Sequence, residues 1–247
     1  MPTKIEKIKA IQTHFGTVPD GIPGEHTYDV FYRGIFGDKV QYPYEGKFWG
    51  AKVILAKPEQ FKVAYIDGHN RVSTKNYNFA INGTFYDYAT QKVCSLLGDK
   101  KGVYGTYAAR SWAGYPETVL CFDGKEVKTK TAFYSSELED MEWFIGGIDL
   151  INLNPEREGF CRFTKDKKHY NYTDPLRKAY HACFGVDKQG ILHAFVAYGD
   201  VNKMAAIAKN LLLTHCIMVD GGSPCSFNSP SLKYGSTKTI NNIIYFE

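Results

Sequence analysis

Two short segments of this 247-residue chain set side chains capable of acid–base and hydrogen-bonding chemistry directly after apolar runs. Cys216-Ile217-Met218-Val219 leads into Asp220-Gly221-Gly222-Ser223, and Phe79-Ala80-Ile81 leads into Asn82-Gly83-Thr84-Phe85-Tyr86-Asp87. A strand holds its last residues rigidly, and glycines let a ligand approach the backbone amides. Asp220 brings a carboxyl, Asn82 an amide, Thr84 and Ser223 hydroxyls, and Tyr86 an aromatic ring. If both strand ends open on one pocket, these groups make a polar cleft. The plainer alternative is punctuation, because Asp-Gly and Asn-Gly are common hairpin signals.

Other residues add to the candidate set. His181 has the side chain whose ordinary titration lies nearest neutral pH, so it could protonate or hydrogen-bond an oxyanion, or simply be a structural strand residue. Arg110 and Arg177 could each grip a phosphate through two hydrogen bonds. Arg177 reads more simply as a surface arginine, whereas Arg110 stands beside Trp112 in a glycine-rich stretch. Asp149 follows Gly146-Gly147-Ile148 and offers either a second carboxylate or a turn cap. Tyr86, Phe85 and Trp112 could stack on a sugar, although core packing is the competing use for Phe85. No Cys-x-x-Cys or Cys/His cluster has metal spacing, so no cofactor is predicted; scattered Asp and Asn oxygens leave a divalent ion open.

Composition sets bounds on function. With 44% hydrophobic residues, 18 Tyr and 16 Phe, the chain can bury a large core, which fits one main domain with a small appendage. The net charge is +4 with lysines scattered, so no nucleic-acid partner is expected. The six cysteines lie far apart, and reduced core thiols are the expectation. The N-terminus lacks the pattern of a secretory signal, and apolar stretches such as Ala205 to Leu213 are too short to cross a bilayer. Oligomeric state stays open.

Periodicity supplies the elements. Ile5, Ile8, Ile11 and Phe15 fall at helical spacing, Gly16 ends that helix, and Tyr28 to Tyr32 suggest a second one. From Trp49 onward short β-rich runs follow: Ala51 to Ala56, Phe61 to Ile66, Phe79 to Ile81, Thr118 to Phe122, Trp143 to Ile145, and a hairpin of Ala182 to Val186 with Ile191 to Tyr198. Met204 to Leu213 reads as a helix before the strand Cys216 to Val219. The expectation is an α+β protein, with a helical hairpin over residues 1–40 and a sheet-rich mixed domain over 46–247.

The first segment resembles the peptidoglycan-binding domain type 1. Ile11-Gln12, Asp20-Gly21-Ile22-Pro23-Gly24 and Thr27 carry that resemblance over about residues 4 to 36. It implies wall contacts from Gln12, Asp20, Gly21 and Thr27. The main domain resembles the phosphodiester glycosidase family, or NAGPA domain, over roughly residues 50 to 246. Carrying that likeness, in order, are Asn82-Gly83-Thr84-Phe85-Tyr86, Asp123-Gly124, Gly146-Gly147, Phe184-Gly185-Val186-Asp187 with Gly190, and Val219-Asp220-Gly221-Gly222-Ser223. Thr84 and Ser223 stand where the family has glycines. His181 stands where it has an arginine, so a phosphate contact is lost or passed to another residue.

The resemblance implies a hydrolase that removes a sugar from a glycosyl phosphodiester. Asp220 would serve as base for water or as electrostatic partner of the sugar. Asn82 and the Gly221 and Gly222 amides would fix the substrate, with Ser223 lending a hydroxyl; Gly83, Thr84, Tyr86, Arg110, Trp112 and Gly147 would line the site. The implied partner is a bacterial cell-envelope glycopolymer, without nucleic acid or membrane insertion. A wall-directed module without a signal implies a phage protein that is made in the cytoplasm and reaches the envelope by release or on the virion. The alternative is a non-catalytic wall-binding or host-interaction protein on the same scaffold.

Overall fold

Alternation of apolar residues with a period of two, more than long apolar runs, dictates this architecture. The computed structural model describes residues 3–15, 41–66, 72–87, 90–106, 116–153 and 176–247. Those residues hold seventeen strands and two α-helices, α1 (Lys4–Phe15) and α2 (Val201–Asn210). The large antiparallel sheet contains β1 (Tyr44–Phe48), β2 (Ala51–Ala56), β6 (Leu97–Asp99), β7 (Gly102–Gly105), β8 (Glu117–Phe122), β9 (Val127–Ala132), β10 (Trp143–Asp149), β11 (Ala179–Asp187), β12 (Leu192–Gly199) and β13 (Leu213–Gly221). Its main path is β1-β2-β12-β11-β13-β10-β6-β7, with β8 paired to β10 and β9 to β8. A five-stranded sheet holds β3 (Phe61–Tyr65), β5 (Ala80–Asn82), β14 (Phe227–Asn228), β15 (Lys233–Tyr234) and β17 (Asn242–Phe246). A short ladder joins β4 (Val72–Ser73) to β16 (Thr239–Ile240).

Three layers follow from the side-chain alternation. Ala182, Phe184, Val186, Ile217 and Val219 pack with Ile81, Phe227, Ile244 and Phe246 of the smaller sheet. On the opposite face, Cys183, Cys216 and Met218 pack under Val201, Met204, Ile207 and Ala208 of α2. Asp200 caps that helix by accepting a 2.9 Å hydrogen bond from Lys203 N. Between the sheets, Phe61 stacks on Trp143 at 4.2 Å and meets Phe184 and Phe246 edge-on at 6.3 Å each. Trp143 Nε1 donates to Pro58 O at 2.8 Å, which satisfies the ring's polar atom.

Two expectations need correction. The α+β class gives way to a mainly β protein, because among the described residues only α1 and α2 are α-helical. Strands such as Tyr44-Glu45-Gly46-Lys47-Phe48 and Val127-Lys128-Thr129-Lys130-Thr131-Ala132 hid this. Each has a solvent-facing row of polar residues and too few apolar ones to register as a run. The N-terminal helical hairpin is not shown either. Only its first helix is described, opened by a capping box in which Glu6 N donates to Thr3 Oγ1 and Thr3 N to Glu6 Oε2. Its Ile5 is exposed, so the apolar stripe is not wholly buried. The expected second helix, with Asp20, Gly21 and Thr27, lies outside the described residues.

The inter-sheet core should depend on Phe61. Phe61→Ala is expected to lower the unfolding free energy by about 3–5 kcal/mol in urea titration, and a loss below about 1 kcal/mol would contradict this packing.

Candidate active site

The large sheet divides along one edge of β10. Gly146 N donates to Leu96 O at 2.7 Å and Leu150 N to Cys216 O at 2.9 Å. Alternate residues of a strand aim their amides to the same side, so the β6 segment and β13 share this edge and separate around Gly146-Gly147. Thr84 enters this split and donates from Oγ1 to Gly146 O at 2.7 Å. A Cβ on Gly147 would crowd Met218 O and Ile217, so glycine lets β13 lie close.

Asn82 ties the smaller sheet to the end of β13. Its Nδ2 donates to Asp220 O at 2.8 Å and to Gly83 O at 3.2 Å, while Ser226 N donates to its Oδ1 at 3.0 Å. The two glycine-flanked segments, 138 residues apart, therefore meet. The amide is buried and engaged at both ends, which makes Asn82 a positioning residue. Gly83 serves packing too, since its N donates to Asn242 O at 3.0 Å and a Cβ would collide with Asn242 Oδ1.

A β-bulge aims the end of β13. His181 pairs with Gly221 but Cys183 with Met218, so three steps of β13 face two of β11. Gly221 has no room for a Cβ, which would strike His181 Nδ1 and the Tyr180 carbonyl. Gly222 has φ +68°, a left-handed conformation that suits glycine, and a Cβ there would strike the Arg177 guanidinium. Asp220, His181, Gly221, Gly222 and Arg177 thus form one cluster.

Its electrostatics are unusual. Burial pushes the Asp220 carboxyl up to about 7, against the opposing pull of the Gly221 amide, which donates to Oδ1 at 2.8 Å, and of the Arg177 charge. His181 Nε2 lies 3.2 Å from Arg177 O, an acceptor, so Nε2 carries the proton and Nδ1 keeps its lone pair. Nδ1 is buried without a hydrogen-bond partner among the described residues. Burial, helped by the neighbouring guanidinium, holds the imidazole below its ordinary value despite the Arg177 carbonyl and the Asp200 charge. Near neutral pH the cluster is a carboxyl poised to give a proton, a neutral imidazole poised to take one, and a guanidinium.

The other candidates divide between this cluster and the scaffold. Phe85 is buried in the core beneath α2, and Tyr86 is buried and bridges to Val93. Asp149 Oδ1 accepts from Ile151 N and Asn152 N at 2.9 Å each, the work of a turn cap. Ser223 is exposed in the turn after Gly222, and Gln12 is buried on α1. Arg110 and Trp112 lie outside the described residues. Glu117, a buried carboxylate at the start of β8, is not among the sequence candidates. Its Oε1 accepts from Ser95 Oγ at 2.5 Å and its Oε2 from Leu96 N at 2.9 Å, and a Cβ on Gly146 would press against it. It stands one residue ahead of an apolar strand, and its burial at the split was the missing signal. Among the described residues no group of three His, Cys, Asp or Glu could hold a metal ion, and no helix is long and apolar enough to cross a membrane.

No family model and no curated protein matches the chain. Among solved structures, it is similar in fold to the catalytic domain of zebrafish N-acetylglucosamine-1-phosphodiester alpha-N-acetylglucosaminidase (NAGPA), auto-inhibited by its pro-peptide. That likeness has a TM-score of 0.59 at 13% identity, over 83% of this chain and 81% of that one. A hypothetical protein from Synechocystis is similar with a TM-score of 0.50 at 10% identity, over 82% of this chain and 60% of that one. The expected relation to the phosphodiester glycosidases thus stands at the level of fold. The peptidoglycan-binding resemblance finds no matching family model.

The raised Asp220 value has a consequence for stability. The usual carboxylate value of 3.8 applies to the unfolded chain, which loses its proton between about pH 4 and 7 while the folded protein keeps it. Stability attributable to this group is therefore lost as pH rises through that window, reaching ~4 kcal/mol above it. Asp220→Asn should raise Tm, with a gain that grows from pH 4 to 7 and levels off near roughly 10 °C. A gain independent of pH would contradict the assignment.

Proposed function

We propose that this protein is a hydrolase that releases a sugar from a glycosyl phosphodiester. The observation that carries the reading is the buried Asp220 with its raised carboxyl, beside the His181 Nδ1 that has no hydrogen-bond partner among the described residues and the guanidinium of Arg177. Such cleavage builds positive charge at the anomeric carbon and negative charge on the departing phosphate. Arg177 would meet the phosphate, and Asp220 would protonate the leaving oxygen. His181 Nδ1 would take the proton of the attacking water. The raised carboxyl turns Asp220 from the expected base into an acid at neutral pH. The NAGPA-like fold supports a phosphodiester-linked sugar as the substrate.

In the same reading residues 46–247 carry the activity and residues 1–40 direct it to a bacterial cell-envelope glycopolymer. Support for that setting, and for a phage protein delivered by release or on the virion, is the sequence of the first forty residues.

The test is sugar release from a panel of sugar 1-phosphodiesters and purified envelope polymers, read by mass spectrometry. Wild type should release free sugar, and Asp220→Asn should lower kcat about 100-fold or more. The pH profile should be bell-shaped. Its alkaline limb falls near pH 7 as Asp220 loses its proton, and its acid limb falls below the ordinary histidine value of about 6.5 as His181 gains one. Retained glycan binding without product from any substrate would replace this reading with the non-catalytic one.

A further inference from the structure

Beside the Asp220 cluster, the end of the large sheet presents a group of aromatic and cationic side chains with no part in the reaction above. Tyr180 and Tyr198 are cross-strand partners on β11 and β12, and their rings meet edge-on at 5.5 Å. Tyr234 on β15 stacks on Tyr180 at 3.9 Å. Lys52 Nζ lies 5.5 Å from the Tyr234 ring centroid and Lys238 Nζ lies 5.4 Å from it. The loop leading to Tyr234 is held by Glu45, whose carboxylate accepts from Ser229 Oγ, Ser231 N and Leu232 N.

Two observations give this group a ligand chemistry. First, two ammonium groups converge on one ring, and among the described residues neither makes a salt bridge; Lys238 reaches only Cys225 O, at 3.4 Å. Both cations lie against the same ring without a counter-charge, so an anion bound beside that ring is attracted by each of them. Second, Tyr198 is 58% exposed, leaving a flat ring free to stack on a ligand. The group meets the reaction site through the backbone, where Gly222 N donates to Tyr180 O at 2.7 Å, and Tyr180 and Tyr234 lie on the smaller-sheet side of β11. The buried Cys225 thiol is within electrostatic reach of Asp220, Lys52 and Lys238.

We propose that Tyr180, Tyr198, Tyr234, Lys52 and Lys238 form a second subsite that binds a further sugar ring bearing its own phosphate. The substrate is then an oligomer or polymer with at least two phosphates. This inference rests on the glycosidase reading of the Asp220 cluster. Lys52 and Lys238 neutralise the outer phosphate, Tyr198 stacks on the ring, and Asp220 acts on the inner linkage.

The test is calorimetric titration of the whole protein with glucose 1-phosphate, inorganic phosphate, methyl glucoside and adenosine monophosphate. Lys52→Gln/Lys238→Gln and Tyr198→Ala alter exposed or surface-facing groups, and unchanged circular dichroism would certify their folding. Glucose 1-phosphate should bind more tightly than phosphate or methyl glucoside alone. Each variant should weaken its binding about fivefold or more, also when measured in Arg177→Gln protein, where the phosphate contact at the reaction site is removed. Binding that follows Arg177 and ignores the lysines and Tyr198 overturns the subsite, and so does adenosine monophosphate binding tenfold more tightly than the sugar phosphate. The measurement needs no turnover. A lysine-dependent affinity without sugar release from any substrate would sink the glycosidase reading alone, and sugar release with lysine-independent affinity would sink the subsite alone.

Discussion

The buried Asn82 amide is the constraint on which the site depends. It donates to the Asp220 carbonyl and accepts from Ser226 N, fastening the smaller sheet to the exit of β13. Each buried polar group in that arrangement would cost about 1–3 kcal/mol if left unpaired. The end of β13 therefore has one economical conformation, and it shields the Asp220 side chain from water. Burial of the carboxyl follows from the joint between the sheets, and so does its retained proton.

That joint also explains the glycines. Gly83, Gly146, Gly147, Gly221 and Gly222 each face a group that a Cβ would strike: Asn242, Glu117, Met218 O, His181 and Arg177 respectively. Their shared property is close approach between segments, and at Gly222 a left-handed backbone is added. Thr84 and Ser223, by contrast, are not glycines and leave the cluster undisturbed. Thr84 uses its hydroxyl to bridge the split at Gly146 O, and Ser223 sits exposed beyond the turn. Arg177 supplies a cation next to His181.

What the sequence made legible was whatever repeats locally. The strands Ala51–Ala56, Glu117–Phe122 and Leu213–Gly221 showed as apolar runs, and the meeting of the segments around Asn82 and Asp220 could be anticipated from strand ends with matching chemistry. Strands with one solvated face, such as Val127–Ala132, lacked that signal, so the amount of sheet was under-read. Arg177 is exposed, as its sequence suggested, and nothing local reports that its guanidinium lies against Gly222. Glu117 carries no motif, and only the fold shows that Ser95 and Leu96 close over it. Asn242 stood in no recognised pattern, yet its backbone carbonyl and side chain meet Gly83 and Thr84.

The central claim is that the joint between the sheets raises the Asp220 carboxyl so far that it still holds its proton in about half of the molecules near pH 7. A carbon-13 NMR titration of the aspartate carboxyls, with Asp220 assigned by its loss in Asp220→Asn, tests it directly. A midpoint near 7 is the predicted result. A midpoint in the ordinary aspartate range of about 4 would contradict it.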